Sequence, residues 1–270
     1  MGKDAKLEDC TKPRLKELIM QAKNPEYRLK SWNCFFNYCE AEELVHINPL
    51  RKVKHIVPHR DKPKVEFLSV ENVITLLKSL PKEVCPTFAL MLFCGIRPLE
   101  IIPSEGKECL KWEDINFKTK SIYISTKVAK TRRERNIVAA PENIWEWLEL
   151  YPSEKRTGNV FPYSYMTYRR IRDSIPVKMT KDVCRHTFGT FGFYFLSLQT
   201  TLEILGHIGR YKTYDDHYKG QGSKEDAKWF FSLTPNNLND ENKSKTTPSA
   251  SALFKDNNIV NFDDIIKFAQ

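Results

Sequence analysis

Residues 86–96 constrain the fold of this chain more than any other segment, because they are apolar around the whole circumference of a helix. Their sequence, PTFALMLFCGI, is far shorter than the roughly 18 apolar residues that a membrane-spanning helix needs. A short helix that is apolar on every face is buried in a protein core. We therefore expect a globular domain whose other elements pack around a central helix at this position.

The composition fits a folded protein with one large domain or two small ones. Of the 270 residues, 41% are hydrophobic and 29% are charged, which is enough apolar material to build a core. The seven cysteines form no C-x-x-C pair, which argues against a disulfide framework and against a structural zinc site. Since the first residues are polar and include no apolar signal segment, we expect a cytoplasmic protein that is not embedded in a membrane.

Helical periodicity dominates the chain, and two short segments alternate like strands. Further helices are predicted over residues 12–22, 25–44, 70–80, 182–196 and 200–205, and Pro141 begins one more. Residues 121–126 and 136–139 are predicted strands. The predicted organisation is a partial helical domain over 1–61, a linker over 62–67, the main domain over 68–234, and a flexible tail over 235–270 that can end in a short helix.

Positive charge is concentrated in the middle of the sequence. Residues 118–135 contain seven Lys or Arg and one acid, and residues 155–185 contain eight Lys or Arg and two acids. A focused positive field attracts a polyanion, of which nucleic acid is the commonest. Exposed, solvated cations are the alternative explanation of the same charge.

Four separated segments contain polar residues that could act together: CGIRPLE (94–100), AKTRRER (129–135), DVCRHTFGT (182–190) and LGHIGRYKTYDDHYKG (205–220). Each has an ordinary structural explanation when taken alone; Arg97, for example, could simply pair with Glu100. In this order they resemble the tyrosine recombinase (phage integrase) family, whose catalytic domain has Gly-x-Arg after a buried helix, a lysine in a β-hairpin, an H-x-x-R-H-T-F box, Leu-Gly-His, and then a tyrosine.

The resemblance implies a mainly α fold with a small antiparallel β-sheet, in which a shortened helical core-binding domain precedes a tyrosine recombinase-like catalytic domain. It also implies a site-specific recombinase or integrase that cuts and rejoins DNA through a covalent 3′-phosphotyrosine intermediate, as a homotetramer on paired sites of double-stranded DNA. No metal and no cofactor are expected. The catalytic residues that it implies are Arg97, Lys130, Asp182, Arg185, His207 and Tyr218. Residues 224–235 resemble the helix that follows the tyrosine in a bacterial subgroup.

The chemistry of these residue types agrees with the implied reaction. A tyrosine oxygen can attack a phosphodiester and leave again, so the energy of the broken bond is conserved. Two guanidinium groups can hold the charged phosphoryl oxygens with bidentate geometry. An imidazole adds one more hydrogen bond, and a lysine can protonate the departing 5′ oxygen.

Two positions depart from the family pattern. Asp182 stands where the first histidine of the box is usual; its carboxylate is either a proton acceptor or a cap for the helix that follows. Tyr218 lies two residues beyond the usual spacing from His207, and Tyr214 and then Tyr211 are the reserve candidates.

The candidate contacts to the DNA backbone lie outside the catalytic set: Lys30, Arg51, Lys52, Lys54, Arg132, Arg133, Arg169, Arg170 and Arg172. The N-terminal region has room for two or three helices, whereas the family has four or more, so we expect a shortened clamp. Two other functions fit the same sequence: a DNA-binding protein of this fold with weakened catalysis, and a relaxing enzyme similar to type IB topoisomerases.

Overall fold

The protein is described by a computed structural model, which covers residues 6–51, 53, 65–207 and 222–238. The chain divides into two compact units, Met1–Pro63 and Lys64–Gln270. About half of the described residues are helical, and one small antiparallel sheet completes the second unit. The predicted fold class is therefore confirmed.

The first unit is built on two helices, α1 (Lys12–Met20) and α2 (Pro25–Ala41), after a short 3₁₀ turn at Leu7–Asp9. The Asn24 side chain accepts a hydrogen bond from the Tyr27 N–H and so caps the start of α2. The apolar residues that face each other form a small core of Leu15, Ile19, Phe36, Leu50 and Val53. Helix α2 ends at Ala41, three residues earlier than predicted.

The core of the second unit surrounds the predicted central helix, α4 (Cys85–Phe93), in which every residue is buried. Helices α3 (Val70–Lys78), α5 (Pro98–Ile101) and α6 (Asn143–Glu149) accompany it, together with α7 (Tyr165–Ser174), α8 (Val183–Phe195), α9 (Leu198–Leu205) and α10 (Lys224–Ser232). Helix α4 packs against α6 and α8, and α10 packs against α8 and α3. The Phe93 ring meets Phe230 at 4.9 Å between ring centroids, which anchors α10 to the central helix.

The sheet is an antiparallel meander of strands β1 (Ile115–Asn116), β2 (Ser121–Ile124) and β3 (Arg135–Ile137). Ile122 pairs with Ile115 on one side and with Ile137 on the other, so these side chains share the buried face. The connection from β2 to β3, residues 125–134, contains Lys130. This connection belongs to the predicted site.

The structure differs from the sequence prediction mainly at element ends and in two helices. Both predicted strands are shorter than expected, and α6 begins at Asn143 rather than at Pro141. The sequence patterns do not predict helices α5 and α7; α7 follows Ser164, whose hydroxyl accepts the Thr167 N–H. Among the described residues, no helix has the length and apolar character needed to cross a bilayer.

Gly95 follows the central helix with a left-handed backbone, at φ +57°. A Cβ placed there would lie 2.7 Å from Leu205 Cδ2 and 2.8 Å from Phe188 Cδ1, both of which are buried. Gly106 has a similar φ of +69° but nothing within 4 Å of such a Cβ. The same substitution at these two glycines therefore distinguishes the effect of backbone strain from that of steric overlap.

We expect Gly106→Ala to lower the free energy of unfolding by about 1–2 kcal/mol, the penalty of a side chain in the left-handed region. Gly95→Ala adds overlap with the core and should lower it by about 1–3 kcal/mol more. Urea unfolding of both variants measures the difference. Equal destabilisation of the two variants would contradict the steric explanation.

Candidate active site

Three residues from distant segments of the sequence converge in the second unit: Arg97, Arg185 and His207. Arg97 lies at the N-terminus of α5, Arg185 in the first half of α8, and His207 just after the end of α9. The His207 Nε2 atom lies 3.4 Å from Arg97 Nη2 and 3.1 Å from Arg185 Nη2. Two guanidinium groups and one imidazole therefore meet around a single point.

Arg185 is held by the backbone at this point. Its side chain is almost fully buried, and Nη1 donates to the Gly95 carbonyl while Nη2 donates to the Leu205 carbonyl, each at 2.5 Å. Leu205 is the last residue of α9, where backbone carbonyls lack helical partners, and Gly95 lies two residues after the end of α4. Arg185 therefore ties the chain just after α4 to the end of α9 and at the same time faces His207.

The contacts of His207 to the two arginines are made through its Nε2 atom. A guanidinium has only donors, so in a hydrogen bond from Arg97 or Arg185 the Nε2 atom is the acceptor. The geometry also aims Nε2 at the space that the two guanidinium groups share, where an anion would be bound.

Arg97 is fixed from behind by Glu100, a carboxylate with no exposed surface. Glu100 accepts hydrogen bonds from the Arg97 N–H at 3.1 Å and from Arg97 Nη1 at 3.2 Å. The same carboxylate accepts from Arg135 Nη2 at 2.6 Å and from Nη1 at 3.2 Å. Burial would raise the pKa of Glu100, but the hydrogen bonds and charges of Arg135 and Arg97 outweigh it and lower the pKa to about 2.

Lys130 lies in the connection between β2 and β3, and its side chain is exposed. Its backbone N–H points towards Glu100, with 3.4 Å between Lys130 N and Glu100 Oε1. Before it, the connection is closed by a hydrogen bond from the Ala129 N–H to the Ser125 carbonyl. Lys130 therefore stands on a loop that is tied to the carboxylate that also holds Arg97.

Asp182 precedes α8 with a left-handed backbone, at φ +60°. The alternative in which its carboxylate caps this helix is wrong, because the side chain accepts no hydrogen bond from the first turn. Its backbone carbonyl accepts the His186 N–H instead. Aspartate is one of the few residues besides glycine that tolerate a positive φ, which explains why it can occupy this position.

The predicted DNA contacts fall into three groups. Lys30, Arg132, Arg133, Arg169 and Arg170 are exposed. Arg51 is exposed but lies 3.3 Å from Glu40, and Arg172 donates two hydrogen bonds to Asp173. Lys52 and Lys54 lie outside the described residues, as do Tyr218, Tyr214 and Tyr211.

Sequence reasoning misses the residues that lie behind the site. It identifies Glu100 only as a possible partner of Arg97, and it assigns no role to Arg135 although that arginine lies in the motif that includes Lys130. The one local signal is a lone Glu three residues after Arg97, inside an otherwise apolar region. Within the described ranges, no group of three or more His, Cys, Asp or Glu side chains is arranged to hold a metal ion.

Comparison with known proteins identifies similar sequences and folds. No family model matches the chain. A tyrosine recombinase of Thermosipho africanus (strain TCF52B) is 22% identical in an alignment of 196 positions that covers 66% of this chain and 65% of that protein. The chain therefore aligns with slightly less than two thirds of that relative's length.

Solved structures with the same fold include two integrases and a recombinase. The Tn1549 transposon integrase in complex with transposon right end DNA has a TM-score of 0.59 at 14% identity, over 83% of this chain and 86% of that one. A lambda integrase dimer bound to a COC′ core site has a TM-score of 0.59 at 15% identity, over 82% and 85%. The XerH recombinase bound to a palindromic difH substrate has a TM-score of 0.51 at 17% identity, over 78% and 69%.

These comparisons confirm the predicted resemblance to tyrosine recombinases and integrases. The second unit has the fold of a tyrosine recombinase catalytic domain, with a mainly helical body and a three-stranded antiparallel sheet.

Because the pKa of Glu100 is lowered, the free energy of unfolding depends on pH in the acidic range. The carboxylate stabilises the fold above its ordinary pKa of 4.5, and this contribution disappears as the pH falls towards about 2. Glu100→Gln leaves two arginines without their anion, so we expect the free energy of unfolding at pH 7 to fall by about 3–5 kcal/mol. The difference from wild type should shrink between pH 4.5 and pH 2.

Urea unfolding at several pH values measures this dependence. Glu105→Gln is the matched control, because Glu105 is exposed and its variant should follow the wild-type pH curve. Parallel pH curves for Glu100→Gln and wild type would contradict the link between ionisation of Glu100 and the free energy of unfolding.

Proposed function

We propose that this protein is a site-specific DNA recombinase or integrase that cuts and rejoins DNA through a 3′-phosphotyrosine intermediate. The observation that carries this proposal is the convergence of Arg97, Arg185 and His207, with Nε2 of the imidazole within 3.4 Å of both guanidinium groups. That convergence has the charge and the donor geometry that a scissile phosphate needs. The similarity in sequence and fold to recombinases and integrases supports the same reaction class.

The two arginines would bind the non-bridging oxygens of the phosphate. In the transition state these oxygens become more negative, and fixed donors in a partly buried site stabilise that charge without having to reorganise. Arg185 is well suited to this role because two backbone carbonyls fix its guanidinium. His207 would add a third donor once a proton is on Nε2 in place of its present contacts to the arginines.

The bond changes that we propose balance without a metal or a cofactor. The phenol oxygen of Tyr218 forms a bond to phosphorus, and the bond from phosphorus to the 5′ oxygen breaks. Lys130 gives a proton to that 5′ oxygen, and Asp182 takes the proton of the phenol. Attack by the 5′ hydroxyl of another strand then reverses these steps and releases the tyrosine.

Double-stranded DNA is the proposed partner, and the exposed cations are its proposed phosphate contacts. Arg169 and Arg170 lie on α7, while Arg132 and Arg133 lie beside Lys130 on the same loop. Lys30 and Arg51 in the first unit would extend this contact to more of the duplex. Strand exchange needs two DNA sites and four cleavages, so we propose that a homotetramer assembles on paired sites.

The second candidate is a DNA-binding protein of this fold that does not cleave. The observation that favours it is Asp182, which replaces a histidine of the family pattern at the start of α8. Covalent capture of DNA separates the two functions, because only the recombinase forms a bond to the substrate.

Nicked suicide duplexes, tiled across the DNA that borders the gene, test the recombinase. We expect wild type to form an adduct that survives denaturing electrophoresis and Tyr218→Phe to form none, because the attacking oxygen is absent. Tyr214→Phe makes the same change at the reserve position and should still form the adduct.

The other outcomes are equally informative. No adduct from wild type on any of the duplexes would reject the recombinase in favour of the binding protein. An adduct that persists in Tyr218→Phe and disappears in Tyr214→Phe would move the nucleophile to Tyr214.

The salt dependence of DNA binding tests the proposed contacts on α7. Removing one cation that neutralises a phosphate reduces the slope of log K against log salt by about 0.9. We expect Arg169→Gln and Arg170→Gln each to reduce the slope by about this amount on a duplex of mixed sequence, measured by fluorescence anisotropy. Arg172→Gln should change it much less, because Asp173 lies 2.6 Å from that guanidinium. An equal change for Arg172→Gln would contradict this assignment.

A further inference from the structure

We infer that Arg135 is a positioning residue for this site: its guanidinium joins the three chain segments that carry Arg97, Lys130 and His207. This inference rests on the proposed function, because it assigns a role relative to the proposed catalytic groups. Arg135 itself faces away from solvent, since its side chain is only 6% exposed. It therefore acts through its neighbours rather than on DNA.

The guanidinium of Arg135 uses three nitrogen atoms for two partners. Nη1 and Nη2 bind the two oxygens of Glu100 as a bidentate pair, at 3.2 Å and 2.6 Å. Nε donates to the Ile204 carbonyl at 3.1 Å. A planar group bound at two edges has little freedom to rotate, so it fixes the separation of its two partners.

The first connection leads to Arg97. Glu100 binds Arg97 through both the backbone N–H and Nη1, so the carboxylate orients the catalytic guanidinium. Without Arg135, this carboxylate would be a buried anion with one cationic partner instead of two. It would then be free to turn about its own side-chain bonds and would no longer fix Arg97.

The second connection leads to His207. Ile204 lies in the last turn of α9, and the chain leaves this helix through Gly206 in a left-handed conformation, at φ +66°. A Cβ on Gly206 would lie 3.2 Å from Arg135 Cδ, so the arginine stem packs directly against this turn. Arg135 therefore sets the direction in which the chain enters His207.

The third connection leads to Lys130. Arg135 is the first residue of β3 and pairs with Ile124, the last residue of β2, so it closes the base of the loop that carries Lys130. The backbone N–H of Lys130 points at the same oxygen of Glu100 that Arg135 Nη1 binds. One carboxylate and one guanidinium thus tie the loop at both its base and its middle.

A lysine cannot replace this arrangement. Its ammonium group is a single point of charge, so it cannot bind both oxygens of Glu100 and reach the Ile204 carbonyl at the same time. Arg135→Lys therefore keeps the buried positive charge but loses the simultaneous hydrogen bonds to Glu100 and to the Ile204 carbonyl. This makes it the conservative variant that separates positioning from simple charge balance.

The test compares Arg135→Lys with Arg156→Lys. Arg156 is a partly buried arginine whose Nε donates to the Tyr151 carbonyl and whose guanidinium lies over the Phe117 ring, away from the site. We expect Arg135→Lys to slow single-turnover adduct formation on the suicide duplex by about 10- to 100-fold, the range seen when residues that orient the ligands of a metal site are replaced. The rate is measured at saturating protein, so that a change in DNA affinity through Arg132 and Arg133 on the released loop does not enter it, and Arg156→Lys should cleave at the wild-type rate.

Amide hydrogen exchange supplies a readout that does not depend on activity. In Arg135→Lys, exchange should be faster in residues 127–136 and 204–207 and unchanged in α4, because only the tied segments are released. If wild type forms no adduct, the proposed recombinase fails, and the exchange comparison still decides whether Arg135 ties these segments. Wild-type cleavage or wild-type exchange in Arg135→Lys would overturn the inference.

The double variant Glu100→Gln with Arg135→Met tests whether misfolding explains the effect, because it removes both charges of the more deeply buried pair and leaves only Arg97, which is partly exposed, without its carboxylate. We expect it to unfold cooperatively and to cleave at least as slowly as Arg135→Lys. Cleavage at the wild-type rate by the double variant would also overturn the inference. So would an equally slow cleavage by Arg156→Lys, since the effect would then be general destabilisation.

Discussion

A single buried carboxylate organises this molecule. Glu100 has no exposed surface, and an ion in that position is tolerated only when its charge is matched and its oxygens are bonded. Arg97 and Arg135 meet both requirements, and they come from different elements of the second unit. A buried charge without its partner would be strongly unfavourable. The fold is therefore constrained to bring together the helix that carries Glu100, strand β3 and the end of α9.

The central helix makes that meeting possible. Every residue of α4 is buried, so the chain that follows its C-terminal end, with Gly95 and Arg97, begins inside the second unit and not at its surface. Arg185 reaches the same place from α8, which packs directly on α4. Apolar packing brings the segments together, and the polar contacts at the helix ends then fix the angles of the side chains.

The parts of this structure that the sequence predicts are those with strong local patterns. The apolar run identifies α4, and helical periodicity identifies α3, which begins after Ser69, whose hydroxyl accepts the Asn72 N–H. The motif order predicts that Arg97, Arg185 and His207 act together, and both guanidinium groups lie within 3.4 Å of His207 Nε2 although Arg97 and His207 are 110 positions apart. Each of these inferences depends on residues that are close in sequence or fixed in order.

The parts that the sequence does not predict depend on contacts between distant residues. Helix α7 escapes prediction because charged residues interrupt its apolar positions, and its buried face becomes apparent only against its neighbours. The left-handed backbone at Asp182 and the pairing of Glu100 with Arg135 leave no periodic pattern in the sequence. A carboxylate and a guanidinium that are 35 positions apart cannot be matched without a fold.

The two hydrogen bonds of Arg185 to the carbonyls of Gly95 and Leu205 have an evolutionary consequence. Because these bonds hold chain segments around the site, replacing Arg185 would lower folding stability whatever the protein does with DNA. A residue that acts only in the proposed cleavage is not retained for that reason. Arg185 in a related sequence therefore indicates the fold, whereas the residue at the proposed tyrosine position indicates whether the proposed cleavage is retained.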